Sequence, residues 1–526
     1  MELVAAGVEE DGGLLGLGAQ RAAGEQKECE SGLCEVRAPE RASDAEWHRC
    51  WVESGTCANR RDGYSIACHG GECPMGRVGK GWLLVLGMML AIVVACGTAI
   101  GQTRAKSLTG AAQTAAGATQ EQTGTTREAH KAYTLPPEKL AKANALGRIR
   151  DILSIVGSVW GLAVLGLLLA TGLVARGERW SERLHGRRLV QGLAFFAGLL
   201  AVTAVADLPL EMAAHAASVH FGISVQRWPG WMGDWAKALG LSLLMGSPVL
   251  LLFQGIVRRW SRRYWLVAWM AAVPLMALGV FVGPLLEPVF SKFVPLEQAN
   301  PALVAELEKV VARTGTEIPP ERMYLMKASA KTNGLNAWVS GWGATKRVVV
   351  WDTMVDRVPK DEVLFIFAHE TGHYVLHHIA KMMAVASVLM LFGFWACARL
   401  AEWMVRRFGA RWGADGLGSR TGFVVLLLAA SVGGFVAEPV SNGLSRYVEH
   451  QADVYGQEAV HGIVADPQKT AVAAFDDLGE AWLEDPQPNP VIEFWLYNHP
   501  STQKRAEFAA HYNPWANGGH GEFFAK

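Results

Sequence analysis

Apolar runs constrain this 526-residue chain more than any other feature. Residues 82 to 100, 153 to 174, 189 to 210, 236 to 257, 264 to 286, 382 to 404 and 421 to 442 are each mostly apolar. A helix rising 1.5 Å per residue covers about 30 Å of hydrocarbon in roughly twenty residues, so each of the seven blocks is long enough to span a bilayer. Lipid leaves backbone polar groups no outside partner, and continuous apolar blocks of this length meet that demand as helices. The expected fold is therefore mainly α, a multi-pass membrane protein with a helical transmembrane bundle. The composition, 51% hydrophobic and 19% charged, agrees with it.

Net charge is zero, and no basic run with interleaved aromatics suggests a nucleic-acid partner. Charge is informative locally. Arg176, Arg179, Arg183, Arg187 and Arg188 crowd the loop 175 to 188; Arg258, Arg259, Arg262 and Arg263 crowd 258 to 263; Arg406, Arg407, Arg411 and Arg420 lie in 405 to 420. The intervening loop 211 to 234 has only Arg227. Basic short loops stay in the cytoplasm, so alternation puts 103 to 150, 287 to 380 and the tail outside. In a bacterial inner membrane that face is periplasmic.

From Met75, the basic Arg77 and Lys80 precede an apolar run from Trp82 to Ala95 and small residues, the layout of a signal peptide. Val93, Val94, Ala95 and Cys96 also resemble a lipobox. A cleaved signal, a lipid-anchored Cys96 and a retained first span all fit. Upstream, Cys29, Cys34, Cys50, Cys57, Cys68 and Cys73 lie in a polar stretch with no C-x-x-C spacing. A small zinc or disulfide module is the functional reading, but paired metal knuckles usually require that spacing, so 1 to 74 is expected to be disordered or upstream of the true start. The Gly, Ala, Thr and Gln-rich residues 103 to 133 read as a linker.

The chemistry begins at Asp361. From there to Met383 the chain has no Pro and no Gly except Gly372, and Val363, Leu364, Phe367 and Ala368 recur in a helical rhythm. On that predicted helix His369, Glu370, Thr371, Gly372 and His373 form H-E-x-x-H. One turn separates the two imidazoles, which share a face, and a carboxylate sits beside them. Such a set suits one zinc ion, with Glu370 as the base that takes a proton from water. Two histidines on a membrane-surface helix without metal are the plain alternative.

A third ligand must come from elsewhere. His377 continues the i, i+4 series but lies about 12 Å along the axis from His369, beyond the reach of bonds near 2 Å. His377 and His378 are better read as lining groups or supports for the ligands. Beyond the last apolar block, Glu449 and Asp453 stand one turn apart on a predicted helix. A ligating carboxylate with a second one to orient an imidazole or assist proton transfer is what a catalytic zinc site needs. Glu438 lies within an apolar block, where an ionisable group usually faces a polar cavity.

The H-E-x-x-H helix, the following pair of spans, and then Ser445, Arg446, Glu449, Ala452 and Asp453 together resemble the CAAX prenyl protease type 1 family of membrane zinc peptidases. Asn336 and Ala337 before Trp338 and Gly341 resemble its substrate-pairing strand, and Arg347 to Thr353 the strand before the zinc helix. Trp495, Tyr497, His499, Pro500 and Arg505 resemble its C-terminal H-P segment, and the likeness spans about 133 to 512. The resemblance implies one zinc on His369, His373 and Glu449, Glu370 as base, Asp453 as second acid, and His499 with Arg505 near the oxyanion. It also implies a peptide or protein substrate, membrane-anchored ones included, beside the lipid bilayer. On residues alone, Asn336 and Ala337 sit equally well in a solvated loop, although Val348 to Val350 argue for a strand nearby.

The expected organisation is an N-terminal extension at 1–74, a signal or first span at 75–102, and a linker with a pre-membrane helix at 103–152. Four spans follow in 153–286, then a zinc metallopeptidase domain at 287–526 that contains a small β-sheet and two further spans. A non-proteolytic zinc-bearing membrane scaffold is the alternative function, and Glu370 discriminates against it, since a scaffold has no use for a base between two ligands.

Overall fold

The computed structural model describes residues 135–341 and 346–524, together with three short strands between 51 and 67. Those strands, β1 (Trp51–Glu53), β2 (Thr56–Ala58) and β3 (Ser65–Ala67), form an antiparallel sheet in the order β1-β2-β3. The remaining expectations for 1–74, the run at 82 to 100 with Cys96, and the linker 103 to 133 lie outside the described residues.

Among the described residues, six helices are long and apolar enough to cross a membrane, matching six of the seven expected spans. The first, α1 (Pro137–Ala170), starts on a proline whose missing N–H costs nothing at a helix N-terminus. It runs unbroken across residue 152, so the expected pre-membrane helix and first span are one rod. Gly172, at φ 69°, turns the chain into the short α2 (Leu173–Glu182). There follow α3 (Arg188–His220), α4 (Trp228–Leu241), a π turn at Ser242–Gly246, α5 (Ser247–Arg259) and α6 (Tyr264–Phe290). Leu167, Leu244 and Leu285 are exposed on these helices, as lipid-facing side chains are.

The chain then leaves the apolar rods and builds β4 (Phe293–Pro295), α7 (Leu296–Ala299) and α8 (Pro301–Thr314). Asn300 caps α8 by accepting from Leu303 N at 3.0 Å, and Gly315 ends it at φ 65°. Strands β5 (Met323–Met326), β6 (Ala337–Ser340) and β7 (Arg347–Trp351) complete a four-stranded sheet ordered β4-β5-β7-β6. Val348, Val349 and Val350 are fully buried in the central strand β7, and β6 forms an edge antiparallel to it. Asn336 immediately precedes that edge strand and Ala337 opens it, so the stretch that also reads as a loop is irregular up to Asn336 and becomes a strand at Ala337.

Helices α9 (Asp352–Arg357) and α10 (Lys360–Val375) follow, then α11 (His378–Trp412) and α12 (Arg420–Ala459). The unbroken helix expected from Asp361 to Met383 is in fact two. His377 adopts φ 57°, a left-handed conformation that histidine tolerates better than β-branched residues, and the chain changes direction there. The last elements are α13 (Pro467–Trp482), α14 (Pro490–Leu496) and α15 (Thr502–His511). One core joins sheet, α8, α10 and α13, with Phe365, Phe367, Met354 and Phe475 almost fully buried.

Candidate active site

Helix α10 carries the H-E-x-x-H residues and is held from nearly every side. Val363, Leu364, Phe365, Ile366, Phe367 and Ala368 are all buried, so its rotation about its own axis is fixed by packing before any metal is considered. Helix α12 crosses it where Gly372 meets the Tyr455 side chain and Gly456 meets the His369 backbone. A Cβ at Gly372 would lie 2.8 Å from Tyr455 Cδ1, and one at Gly456 would lie 3.0 Å from His369 N and Cα. Only hydrogen fits at either place. That close approach brings Glu449 of α12 against both histidines of α10.

The three donors converge. His369 Nε2 lies 3.1 Å from His373 Nε2 and 3.4 Å from Glu449 Oε2, and His373 Nε2 lies 3.5 Å from Glu449 Oε1. Ligands at 2.0 to 2.1 Å around a tetrahedral zinc would be separated by about 3.4 Å. Two facing imidazole nitrogens and the buried Glu449 Oε2, which has no hydrogen-bond partner, suit a shared cation better than one another. These residues therefore fit a metal ion.

Around them the supports are specific. Asp453 Oδ1 is 2.9 Å from His369 Nδ1, and both Asp453 oxygens accept from Arg505, at 3.0 Å from Nε and 2.6 Å from Nη2. Arg505 also stacks on Phe475, 4.5 Å from its centroid. His378 Nδ1 is 3.1 Å from His373 Nδ1, and its Nε2 is 3.2 Å from Gln451 Oε1. His378 thus stands behind the His373 ring, while His377 is spent on the left-handed corner.

Burial favours neutral imidazoles here, and it carries His373 down to about 3, with positive His369 adding to the effect. At His369 burial acts in the same direction, but Asp453 and Glu449 overcome it and hold the ring up to about 10. A cation would take the place of that proton. Burial pushes the Glu370 carboxyl up to about 7, opposed by His369 and reinforced by Glu449.

His369, Glu370 and Glu449 open onto a cavity of about 470 Å³ that is also lined by Asn336, Ala337, His499 and Arg505. Of the nine residues given site roles from the sequence, Asn336, Ala337, His369, Glu370, Glu449, His499 and Arg505 line this cavity, and His373 and Asp453 stand directly behind it against His369. Edge strand β6 forms one wall; His499, half-exposed, faces Glu449 Oε2 at 3.3 Å from the other. Phe365, Ile366, Phe475 and Leu478 give the cavity an apolar floor. Glu438 lines a separate cavity among the spans, with Asp207, Ser431 and Asn442. The close approach of Gly372 and Gly456 was not read from the sequence, although the single glycine inside an otherwise regular helix was its signal.

The model of peptidase family M48 matches residues 297–513, and that of the CAAX prenyl protease N-terminal region with five membrane helices matches 121–292. The chain is 30% identical over 385 residues to the uncharacterized metalloprotease YhfN of Bacillus subtilis, covering 73% of this chain and 88% of the relative. It is 24% identical over 335 residues to CAAX prenyl protease 1 of Saccharomyces cerevisiae, covering 60% and 71%. The crystal structure of S. mikatae Ste24p has the same fold, with a TM-score of 0.62, 21% identity, and coverage of 72% of this chain and 90% of that one. The chain is a membrane metallopeptidase and belongs to peptidase family M48.

Proposed function

We propose that this protein is an endopeptidase using one zinc ion per chain, held by His369, His373 and Glu449, with Glu370 as general base. The convergence of those three donors at tetrahedral spacing carries the reading. Bound zinc would supply Lewis acidity, polarising the scissile carbonyl and making water more acidic. Glu370 takes the proton of the attacking water and passes it to the leaving nitrogen; a dication beside it lowers its pKa and favours the ionised base. Asp453 orients His369 through Nδ1 and is itself fixed by Arg505, a geometry that suits orientation better than proton donation. Arg505 offers positive charge, and His499, which burial keeps toward its neutral form, offers a hydrogen-bond donor, on the side where an oxyanion would develop. Asn336 and Ala337 would hold the substrate backbone as an added strand on the edge of β6.

The long rods between 153 and 286, together with α11 and α12, would serve as the membrane part, and 287–526 would carry the catalytic part, fed by substrates next to the bilayer. Relatives named CAAX prenyl protease 1 support a processing role on CAAX-like or membrane-anchored tails; nothing suggests nucleic acid. Thirteen arginines in three alternate loops against one in the opposing loop support a periplasmic catalytic face in a bacterial inner membrane. A periplasm-only reporter fused after Lys526 should be active and one at Gly413 silent; the reverse would put the site in the cytoplasm. The scaffold reading is not favoured, because Glu370 faces the cavity beside the ligands.

Glu370→Gln should keep its metal and fold yet lose casein or prenyl-peptide cleavage by about three orders of magnitude or more. Activity within tenfold of wild type would remove Glu370 from the base role.

A further inference from the structure

We infer that Arg446, with Asn442, is a positioning residue that sets the segment carrying His499. Short α14 ends at Leu496, and the last carbonyls of a helix have no partner within it. Here α12 supplies the donors. Arg446 Nη1 donates to Glu493 O at 3.1 Å and to Tyr497 O, Nη2 donates to Phe494 O at 3.4 Å, and Asn442 Nδ2 donates to Trp495 O at 2.5 Å. Four carbonyls at or next to one helix end are thus bound by two side chains one turn apart on the helix that also carries Glu449. Arg446 stands three residues before Glu449, so the ruler between the metal carboxylate and the His499 segment is a single helical turn.

The segment is closed from the other sides as well. Glu493 Oε1 accepts from Ser501 N at 3.1 Å, and the Tyr497 hydroxyl donates to Asp151 of α1 at 3.2 Å. Within this frame His499 Nε2 stands 3.3 Å from Glu449 Oε2, although half of its side chain is exposed. The imidazole is held further from within its own segment, Nδ1 lying 2.8 Å from Asn498 Oδ1. Its placement follows from the carbonyls that precede it, and a planar guanidinium can bridge several of them where an ammonium cannot.

The inference rests on the proposed role of His499, and a double-mutant cycle separates the two. His499→Ala should lower kcat by about a hundredfold. Arg446→Ala should lower kcat about tenfold or more, with KM and zinc content within about twofold, because it displaces a group used in the transition state. Combined with His499→Ala, it should cost less than about twofold further. Arg446→Lys should recover only part of the loss. If Arg446→Ala does not fold, Asn442→Ala and its own cycle with His499→Ala decide, with a smaller but equally non-additive loss. Multiplying effects in the double variant, or a kcat loss that tracks zinc loss, would overturn the positioning role. A His499→Ala variant of wild-type kcat would instead remove the role of His499 itself.

Discussion

Helices α10 and α11 meet at His377, yet ten of the sixteen residues of α10 are buried against protein, while the most apolar stretch of α11 buries none. Both are rich in Leu, Val, Ala and Phe. In α10 those side chains pack against the sheet, α13 and α12 at interior density, so shape decides. In α11 they face outward, where lipid accepts any apolar side chain of sufficient length. Catalytic geometry is built on the first kind of helix because a metal set must be held within fractions of an ångström, which packing provides and lipid does not.

The sharpest way to break that contrast is to add the same methyl group to each helix. At Gly372 the new Cβ meets the Tyr455 ring stem, whose Cβ, Cγ and Cδ1 all lie within 3.1 Å, and Tyr455 is itself buried. Gly372→Ala should destabilise the protein by about 1–3 kcal/mol, as overpacking does, and lower metal content by pushing Glu449 away. At Gly393 of α11 a Cβ meets nothing within 4 Å. Gly393→Ala should leave metal content unchanged and stabilise by up to about 1 kcal/mol, the ordinary helix preference for alanine. Unfolding in detergent, followed with metal analysis, checks both. Equal effects would mean that α10 and α11 are held alike.

A smaller effect sharpens the comparison at the start of α10. Glu362 is buried, its Oε2 has no partner, and Asp477 and Asp476 of α13 face it, with Asp361 adjacent. Burial, then hydrogen bonding and repulsion from Asp477, push its carboxyl up to about 8 from 4.5. Between those values the folded state binds a proton that the unfolded state has released. The contribution is full below about 4.5 and falls as pH rises to about 8, with a slope of at most about 1.4 kcal/mol per unit. Glu362→Gln should flatten that slope and raise stability above pH 8. An unchanged pH profile would show that Glu362 already ionises freely in the fold.

Much of this was legible in the sequence because the strongest signals are local. Apolar block length gives the spans, and the spacing of His369 and His373 gives one face of one helix. Glu449 was readable only as a carboxylate at the right offset from Asp453, and its meeting with α10 depends on Gly372 and Gly456, which lie 84 positions apart. The break at His377 is a non-glycine residue in a left-handed conformation, which no pattern of apolar residues announces. The long first rod was legible for the opposite reason: helical periodicity continues from Lys139 into the span at 153, and α1 follows it without a break.

The central claim is that His369, His373 and Glu449 hold the metal and that His377 does not. Zinc bound per chain, measured on purified Glu449→Ala and His377→Ala, tests it most directly. The account predicts a sharp loss for Glu449→Ala, which removes one of three protein ligands, and nearly one zinc per chain for His377→Ala. Full zinc in Glu449→Ala with loss in His377→Ala would contradict it.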